Sequence, residues 1–246
     1  MLPVDHIGGL AWPHTSNSSL TSVDQVHSTL KNMIHRGELA PGDRLPAERR
    51  LCAILQVSRS TLREALNALR ADGYVEVRRG GPSGGTFVTR LDEAYGRWLS
   101  WMQADTARLR EIMHLRAAIE CQIAWLAAEH ANVDAHELVE TLPTNRSNMS
   151  PKDFREADGR FHAALADAAA SPRLKSLMME ARGELFVPAS SNLLDAVTMA
   201  RSHREHEVIL HAVRAGKPGA ASEAMRAHLA STFHDVSSAL ERPGLL

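Results

Sequence analysis

The chain has 246 residues, of which 44% are hydrophobic and only 4% aromatic, and its formal net charge at pH 7 is −1. This composition supplies one large or two modest domains and favours helices over a β-sandwich. Two cysteines are too few for a disulfide framework, and no run of about 18 apolar residues could cross a membrane. The N-terminus lacks the features of a signal peptide, so we expect a cytoplasmic protein without membrane partners.

Charge is distributed unevenly between the two halves of the chain. Residues 1–90 contain 11 Lys and Arg against 8 Asp and Glu, a net of +3, whereas residues 91–246 contain 17 against 21, a net of −4. A basic front half joined to an acidic back half indicates a nucleic-acid-binding module attached to a second unit.

The first part of the chain predicts a tail followed by three helices. Residues 1–18 have no hydrophobic periodicity and are expected to be a flexible tail. Apolar residues then recur at helical spacing from Thr21 to Arg36, from Ala47 to Leu55, and from a Ser58 cap to Gly73. The short turn between the last two helices is typical of a helix-turn-helix.

Two short strands follow the third helix. Tyr74–Val77 and Thr86–Val88 have strand character, and the glycine-rich segment 79–85 between them forms a turn. Three helices followed by a hairpin constitute a winged helix-turn-helix, which we expect to occupy residues 19–90.

The back half of the chain is predicted to be helical, which makes the whole protein mainly α. Residues 91–105, with Trp98 and Trp101, are interpreted as a linker to a helical domain at 106–241. Helices are expected near 106–131, 134–141, 151–170, 173–187, 190–200, 201–215 and 218–241.

Polar side chains cluster at the start of the third helix. Arg59 and Arg63 share one helix face, and a guanidinium can bind guanine through two hydrogen bonds or hold a phosphate. Hydroxyl groups that can bond phosphates lie beside them, on Ser58, Ser60 and Thr61. At the wing tip, Arg78 and Arg79 could enter the minor groove. The alternative is that Arg59 and Arg63 form a solvated face, with Arg63 paired to nearby acids.

Residues 20–90 resemble the N-terminal domain of the GntR family of bacterial regulators. The matching stretches include LPAERRL at 45–51, VSRSTLREAL at 57–66 and GGTFV at 84–88. In that family, the arginine of the LPAER motif, the arginines flanking the start of the recognition helix and the wing residues contact DNA. The resemblance therefore assigns DNA contacts to Arg49, Arg59, Arg63, Arg79 and Gly80.

In the back half, polar residues occupy positions that helical periodicity marks as inward-facing. Asp158 lies in an apolar row, and His162 follows it by one turn, so the two side chains can share a cation. His206 and His228 lie in apolar rows on two later helices. A hydrogen-bonded Asp–His couple and a catalytic dyad are alternatives, and other histidines compete as ligands, namely His203, His211 and His234.

Residues 106–241 resemble the ligand-binding FCD domain of the FadR-type branch of the same family, an antiparallel all-helical bundle. The supporting stretches include DGRFHAAL at 158–165 and AMRAHL at 224–229. In the metal-binding members, one Asp and three His hold a divalent ion. The resemblance assigns these roles to Asp158, His162, His206 and His228. Such ligands admit Zn, Ni, Mn, Fe or Co.

Arg116 lies in an aliphatic row with Ile112, Ile119 and Ile123. A guanidinium that faces a cavity can clamp the carboxylate of a small organic acid, and the family uses the corresponding position in this way. The alternative is an ion pair between Arg116 and Glu120 at the bundle surface.

Together these features predict a ligand-responsive, sequence-specific transcriptional regulator that is not an enzyme. A small organic acid would change DNA affinity by binding one arrangement of the two domains more tightly. We expect a homodimer on a near-palindromic operator, and repression is the more common action in this family. The alternatives are a metal-dependent hydrolase attached to a DNA-binding module, and a metal-structured regulator without a small effector.

Overall fold

The structure is a computed structural model that describes residues 22–130, 149–186 and 194–241. The chain divides into two compact units, Met1–Tyr95 and Gly96–Leu246. Helices dominate both units, so the predicted mainly α fold is confirmed. Among the described helices, none has the combination of length and apolar content that is needed to cross a membrane.

The N-terminal unit is the predicted winged helix-turn-helix. Its elements are helices α1 (Val23–His35), α2 (Glu48–Leu55) and α3 (Arg59–Ala71) and strands β1 (Val75–Arg78) and β2 (Gly85–Val88). The strands are antiparallel, with Val75 opposite Val88 and Arg78 opposite Gly85. Boundaries differ from the predicted ones by one or two residues.

Local hydrogen bonds explain where these helices begin. Ser22 caps α1 in a capping box with Gln25, and the Ser58 hydroxyl accepts a hydrogen bond from the Thr61 backbone at 3.1 Å. Between α2 and α3, Gln56 adopts a left-handed conformation with φ of 55°, which makes the tight turn. Helices α1 and α3 pack together around a fully buried core that includes Val26, Leu30, Met33, Leu62 and Leu69.

The C-terminal unit is built around one long central helix. Helix α4 (Asp92–Ala104) crosses the boundary between the units, and the remaining helices are α5 (Thr106–Glu129), α6 (Pro151–Ala168), α7 (Pro172–Glu184), α8 (Ala196–Arg214) and α9 (Pro218–Leu240). Helix α5 contacts each of α6, α7, α8 and α9, and α9 also packs along α8. The face of α5 that contacts these helices therefore lines the interior of the C-terminal unit.

Residues 91–105, predicted to be a linker, are helical for most of their length, and the boundary between the two units lies within them. Asp92–Ala104 is a regular helix, and Trp98 donates a hydrogen bond from Nε1 to the Glu184 carbonyl at 3.1 Å. The Trp98 ring also packs edge-on against Phe186, with centroids 6.5 Å apart. The Trp98 indole is therefore part of helix packing.

The two helices predicted at 190–200 and 201–215 are wrong, because the structure has one continuous helix, Ala196–Arg214. No proline or glycine interrupts this stretch, so nothing in the backbone ends a helix near residue 200. The predicted tail at 1–18 and the predicted helix at 134–141 lie outside the described residues.

Candidate metal centre and DNA-binding surface

The residues predicted to contact DNA lie on α2, at the N-terminal end of α3 or at the wing of the N-terminal unit. Arg49 is exposed on α2, Arg59 and Arg63 on α3, and Arg79 and Gly80 beside the wing turn. The hydroxyl groups at the start of α3 form a connected set, because Ser58 Oγ lies 2.8 Å from both Ser60 Oγ and Thr61 Oγ1. Side chains that can bond bases and phosphates are thus available at the N-terminus of the recognition helix.

Arg63 pairs with Glu48 through a contact of 2.8 Å, as the alternative interpretation predicted. The two side chains are 65% and 44% exposed. An ion pair this exposed contributes only about 0–1 kcal/mol. A DNA phosphate or base can therefore replace Glu48 at small cost.

The wing holds its two arginines in different environments. The Arg78 side chain packs on the hairpin. It pairs with Glu76 at 2.7 Å, and its guanidinium lies 4.5 Å from the centre of the Phe87 ring. Arg79 is the exposed arginine next to Gly80 at the turn. Gly80 has φ of +150°, and a Cβ there would lie 3.1 Å from Ser83 Oγ, so the turn requires glycine.

Four predicted ligands converge in the interior of the C-terminal unit. Helix α6 contributes Asp158 and His162, α8 contributes His206 and α9 contributes His228. One ligand atom from each side chain lies within 4.8 Å of all the others. Two atoms bound to one ion at about 2.1 Å each are at most about 4.2 Å apart, so the cluster is close to the spacing of a coordination shell. The structure therefore brings together all four residues.

Two carboxylates orient the imidazoles of this cluster. Nδ1 of His162 lies 2.6 Å from Oε2 of Glu120, and Nδ1 of His228 lies 2.8 Å from Oε2 of Glu205. The contact between His228 and Glu205 is a hydrogen bond, which leaves Nε2 of His228 with its lone pair available. The contact between His162 and Glu120 is a close approach of a ring nitrogen to a carboxylate without hydrogen-bond geometry. Carboxylate–histidine pairs of this kind are typical around protein-bound metals.

The cluster also contains buried nitrogen atoms that lack hydrogen bonds. Nε2 of His162 and Nε2 of His206 are buried and make no hydrogen bond to any described residue. They lie 3.9 Å and 3.5 Å from Oδ1 of Asp158. A buried polar atom without a partner is costly, and a metal ion would satisfy both nitrogens at once. The residues present therefore fit a divalent ion.

Two arginines flank the cluster. Arg182 binds Oδ2 of Asp158 at 2.5 Å and lies 3.5 Å from Oε2 of Glu120. Arg116 donates from Nε to Oε1 of Glu120 at 2.7 Å. The pair that the sequence suggested for the bundle surface thus exists, but in the interior, since the Arg116 and Glu120 side chains are only 4% and 1% exposed.

The ionisation of the cluster follows from burial and from these arginines. Burial alone would raise the pKa of Glu120 and of Asp158. For Glu120 the positive charges of Arg116 and Arg182 outweigh burial, and for Asp158 that of Arg182 does so, and both pKa values are held well below normal. Burial and the nearby Arg182 lower the pKa of His162 to about 4, and burial lowers that of His206 as well. At neutral pH the carboxylates are ionised and these two imidazoles neutral, which is the state that binds metals.

Sequence reasoning missed the roles of Glu120, Glu205 and Arg182. Arg182 follows the buried Met178 by one helical turn, so it was detectable as a polar residue in an apolar row. Of the competing histidines, His211 and His234 are exposed, and His203 is buried with Nε2 3.4 Å from the sulfur of Met149.

Comparisons with known proteins agree with this architecture. The model of bacterial regulatory proteins of the gntR family matches residues 22–88, and that of the FCD domain matches residues 111–231. The HTH-type transcriptional regulator LutR of Bacillus subtilis is 34% identical over 218 residues, which cover 84% of this chain and 96% of that protein. The HTH-type transcriptional repressor NanR of Cronobacter sakazakii is 30% identical, covering 85% of this chain and 83% of that protein.

A solved structure supports the fold independently. That of E. coli McbR/YncC superposes with a TM-score of 0.54 at 19% identity, covering 88% of this chain and 97% of that one. The named relatives are transcriptional regulators and not enzymes, which agrees with the prediction made for this chain. The chain is a DNA-binding transcriptional regulator that belongs to the GntR family, with an FCD domain as its C-terminal unit.

Proposed function

We propose that this regulator is a homodimeric repressor whose C-terminal unit binds a divalent metal ion and, through it, a small organic acid. The observation that carries the proposal is the cluster of Asp158, His162, His206 and His228, whose ligand atoms lie within 4.8 Å of one another. These four side chains would hold the ion. When bound, the ion supplies a Lewis-acidic attachment point for a carboxylate.

Arg116 supports the assignment of the effector as an acid. Its guanidinium carries five N–H donors, and within the described residues its hydrogen bonds run to Glu120 and to the Met113 sulfur. A buried guanidinium with donors to spare favours a carboxylate ligand. Arg116 would thus hold the acid from the protein side while the metal holds it from the other.

The acid can change DNA affinity only by the difference between its affinities for the DNA-binding and non-binding states. Repression is supported by the relative NanR, which is named a transcriptional repressor. A dimer would place two recognition helices on the two halves of a near-palindromic operator.

The proposal is tested with the full chain and a DNA fragment selected from a random pool. We expect zinc-loaded protein to release this DNA when a small carboxylate is added, whereas chelator-treated protein does not respond. His206→Ala should lose bound zinc by elemental analysis, and His211→Ala, an exposed histidine on the same helix, should keep it.

Two results would contradict the proposal in different ways. Full zinc content in His206→Ala would remove the metal centre. A chelator that unfolds the C-terminal unit, with no effect of any carboxylate on DNA binding, would instead leave a metal-structured regulator without an effector.

A further inference from the structure

Two arginines that are distant in the chain lie on one face of the wing. The segment 43–45 runs antiparallel beside β2 and is joined to it by backbone hydrogen bonds. Arg44 in this segment lies directly opposite Phe87, whose partner on the other side is Glu76. Residues opposite one another share a face of a sheet, and Arg78 shares it as well because it follows Glu76 by two positions. These four side chains are called the wing patch below.

The two guanidinium groups of the wing patch converge on the Phe87 ring. The central carbon of the Arg78 guanidinium lies 4.5 Å from the ring centre, and that of Arg44 lies 6.0 Å from it. Gly85 leaves room for Arg44, because a Cβ at this position would lie 2.8 Å from the Arg44 Nε. Gly85 is also the partner of Arg78 across the hairpin. Both arginines therefore lie next to Phe87 and Gly85, at the end of β2 that leads to the wing turn.

The aromatic ring orients these guanidiniums and leaves them charged. A guanidinium beside an aromatic ring is attracted by the quadrupole of the ring and keeps its positive charge and its N–H donors. Arg44 is exposed, and the Arg78 side chain is 53% exposed, so both are accessible to a ligand from solvent. An arginine that is already restricted by packing loses less conformational entropy when it binds.

The wing patch keeps a net positive charge in the presence of its own acid. Glu76 pairs with Arg78, and its Oε1 lies 2.7 Å from Nη2 and 2.8 Å from Nε. Both side chains are about half exposed, so this ion pair is weak and can exchange for another anion. With Arg44 included, the three charged side chains sum to +1. A phosphate has several acceptor oxygens, so it can receive hydrogen bonds from both guanidiniums at once.

We propose that Arg44 and Arg78 together bind one phosphate of the DNA backbone, and that Phe87 positions their guanidiniums for this contact. The wing patch belongs to the DNA-binding unit and adjoins the turn that carries Arg79. Arg44 is not among the residues to which the family pattern assigns a DNA contact. The inference extends the DNA-binding surface and does not depend on the metal centre.

The test is the salt dependence of DNA binding by the full chain, measured by fluorescence anisotropy with the selected DNA and with an unrelated duplex. A phosphate contact carries no sequence information, so Arg44→Gln and Arg78→Gln should each weaken both complexes by a similar factor, about 3- to 10-fold. In the double variant, the slope of the logarithm of the association constant against that of salt should fall in magnitude by about 0.9 for each bound copy, as expected for one shared phosphate.

Arg70→Gln is the matched control for loss of charge. Arg70 is an exposed arginine in the last turn of α3, at the opposite end of the recognition helix from Arg59. The substitution removes the same charge from the same unit, and it should leave both affinities and the salt slope unchanged.

Two substitutions of Phe87 test its positioning role. Leucine keeps an apolar side chain at this half-buried position but lacks the aromatic ring, whereas tyrosine keeps the ring. Phe87→Leu should weaken both complexes as the arginine substitutions do, and Phe87→Tyr should bind like the unmodified chain. On the background of the arginine double variant, Phe87→Leu should have no further effect, because the groups that it positions are already absent.

Several results would overturn the inference. A double variant that binds like the unmodified chain, or an equal loss in Arg70→Gln, would exclude the phosphate contact. A loss confined to the selected DNA would indicate a base contact instead. A slope change of about 1.8 for each copy would indicate two separate phosphates. Full affinity in Phe87→Leu, or a further loss on the double-variant background, would remove the positioning role of Phe87.

Discussion

At the scale of single residues, the centre depends on side chains that would not touch the metal. Glu205 is hydrogen-bonded to Nδ1 of His228, so it selects the tautomer whose Nε2 lone pair is free, and Glu120 lies 2.6 Å from Nδ1 of His162. Phe161 adds a steric constraint, because its ring stacks on His206 with centroids 4.2 Å apart. The imidazoles are therefore oriented before any ion arrives, which reduces the entropic cost of binding it.

Removal of one of these carboxylates should weaken metal binding without removing a ligand. For Glu205→Gln we expect zinc affinity to fall about 10- to 100-fold, because His228 loses its charged hydrogen-bond acceptor. Competition with a chromophoric chelator measures the change. Glu223→Gln on the same helix as His228 is the control, since the Glu223 side chain is 77% exposed and pairs only with Arg226 among the described residues. Equal affinities in the two variants would show that Glu205 does not position His228.

At the scale of elements, one face of α3 contributes to the folded core and the other face is available for DNA recognition. Leu62, Ala65 and Leu69 are fully buried against the rest of the N-terminal unit. Arg59 and Arg63 are exposed on the other side. The same helix therefore stabilises the unit with one face and presents donors to DNA with the other.

This division predicts opposite effects for two neighbouring substitutions. Leu62→Ala should lower the unfolding free energy of the N-terminal unit by about 2–5 kcal/mol, because it leaves a cavity in a closed core. Arg59→Ala should change that free energy by less than about 0.5 kcal/mol but abolish specific DNA binding. Urea denaturation and fluorescence anisotropy measure the two properties. Retained affinity in Arg59→Ala would contradict the recognition-helix assignment.

The buried histidines of α6 and α8 predict how stability depends on pH. The pKa of His162 is about 4 in the folded protein and 6.5 in an unstructured chain, so between these values only the unfolded state binds the proton. Stability must then fall as pH decreases from about 6.5 to 4. The lowered pKa of Glu120 acts in the same direction below about pH 4.5.

For metal-free protein we therefore expect the unfolding free energy to decrease by about 1–3 kcal/mol between pH 7 and pH 5. Thermal unfolding in the presence of a chelator measures it. In His162→Asn the decrease should be smaller, because one of the groups that gain a proton on unfolding is gone. An identical pH profile in this variant would show that His162 is already protonated in the folded state.

At the scale of the whole molecule, the two units carry separate functions on one chain. The N-terminal unit presents arginines and hydroxyls for a charged polymer, and the C-terminal unit encloses ion pairs such as Arg116–Glu120 and Arg182–Asp158. Only DNA binding should therefore depend steeply on salt.

We expect the logarithm of the DNA association constant to fall linearly with the logarithm of salt concentration. Each phosphate neutralised by an arginine contributes a slope of about −0.9. Arg63→Ala should reduce the magnitude of the slope, by about twice that value if two copies bind one operator. A slope unchanged by this substitution would indicate that Arg63 stays with Glu48 and does not contact a phosphate.

Sequence reasoning succeeded best where the relevant spacing is short. Ser58 as a helix cap and the turn at Gln56 depend on hydrogen bonds and backbone angles within a few residues, so they follow from the local sequence. The packing of Trp98 did not follow from the local sequence, because its contacts are at Glu184 and Phe186, more than 80 residues along the chain. Periodicity carries no information about such distant partners.

The same distinction between local and distant contacts applies to the residues of the candidate metal centre. Helical periodicity and the family pattern were sufficient to name Asp158, His162, His206 and His228, because each lies at an inward position of its own helix. The packing of α5, α7 and α8 alone decides that Glu120, Arg182 and Glu205 surround them, since those contacts join residues 23 to 62 positions apart in the chain. A residue's helix face is a property of its own segment, whereas its charge environment exists only after the helices have packed.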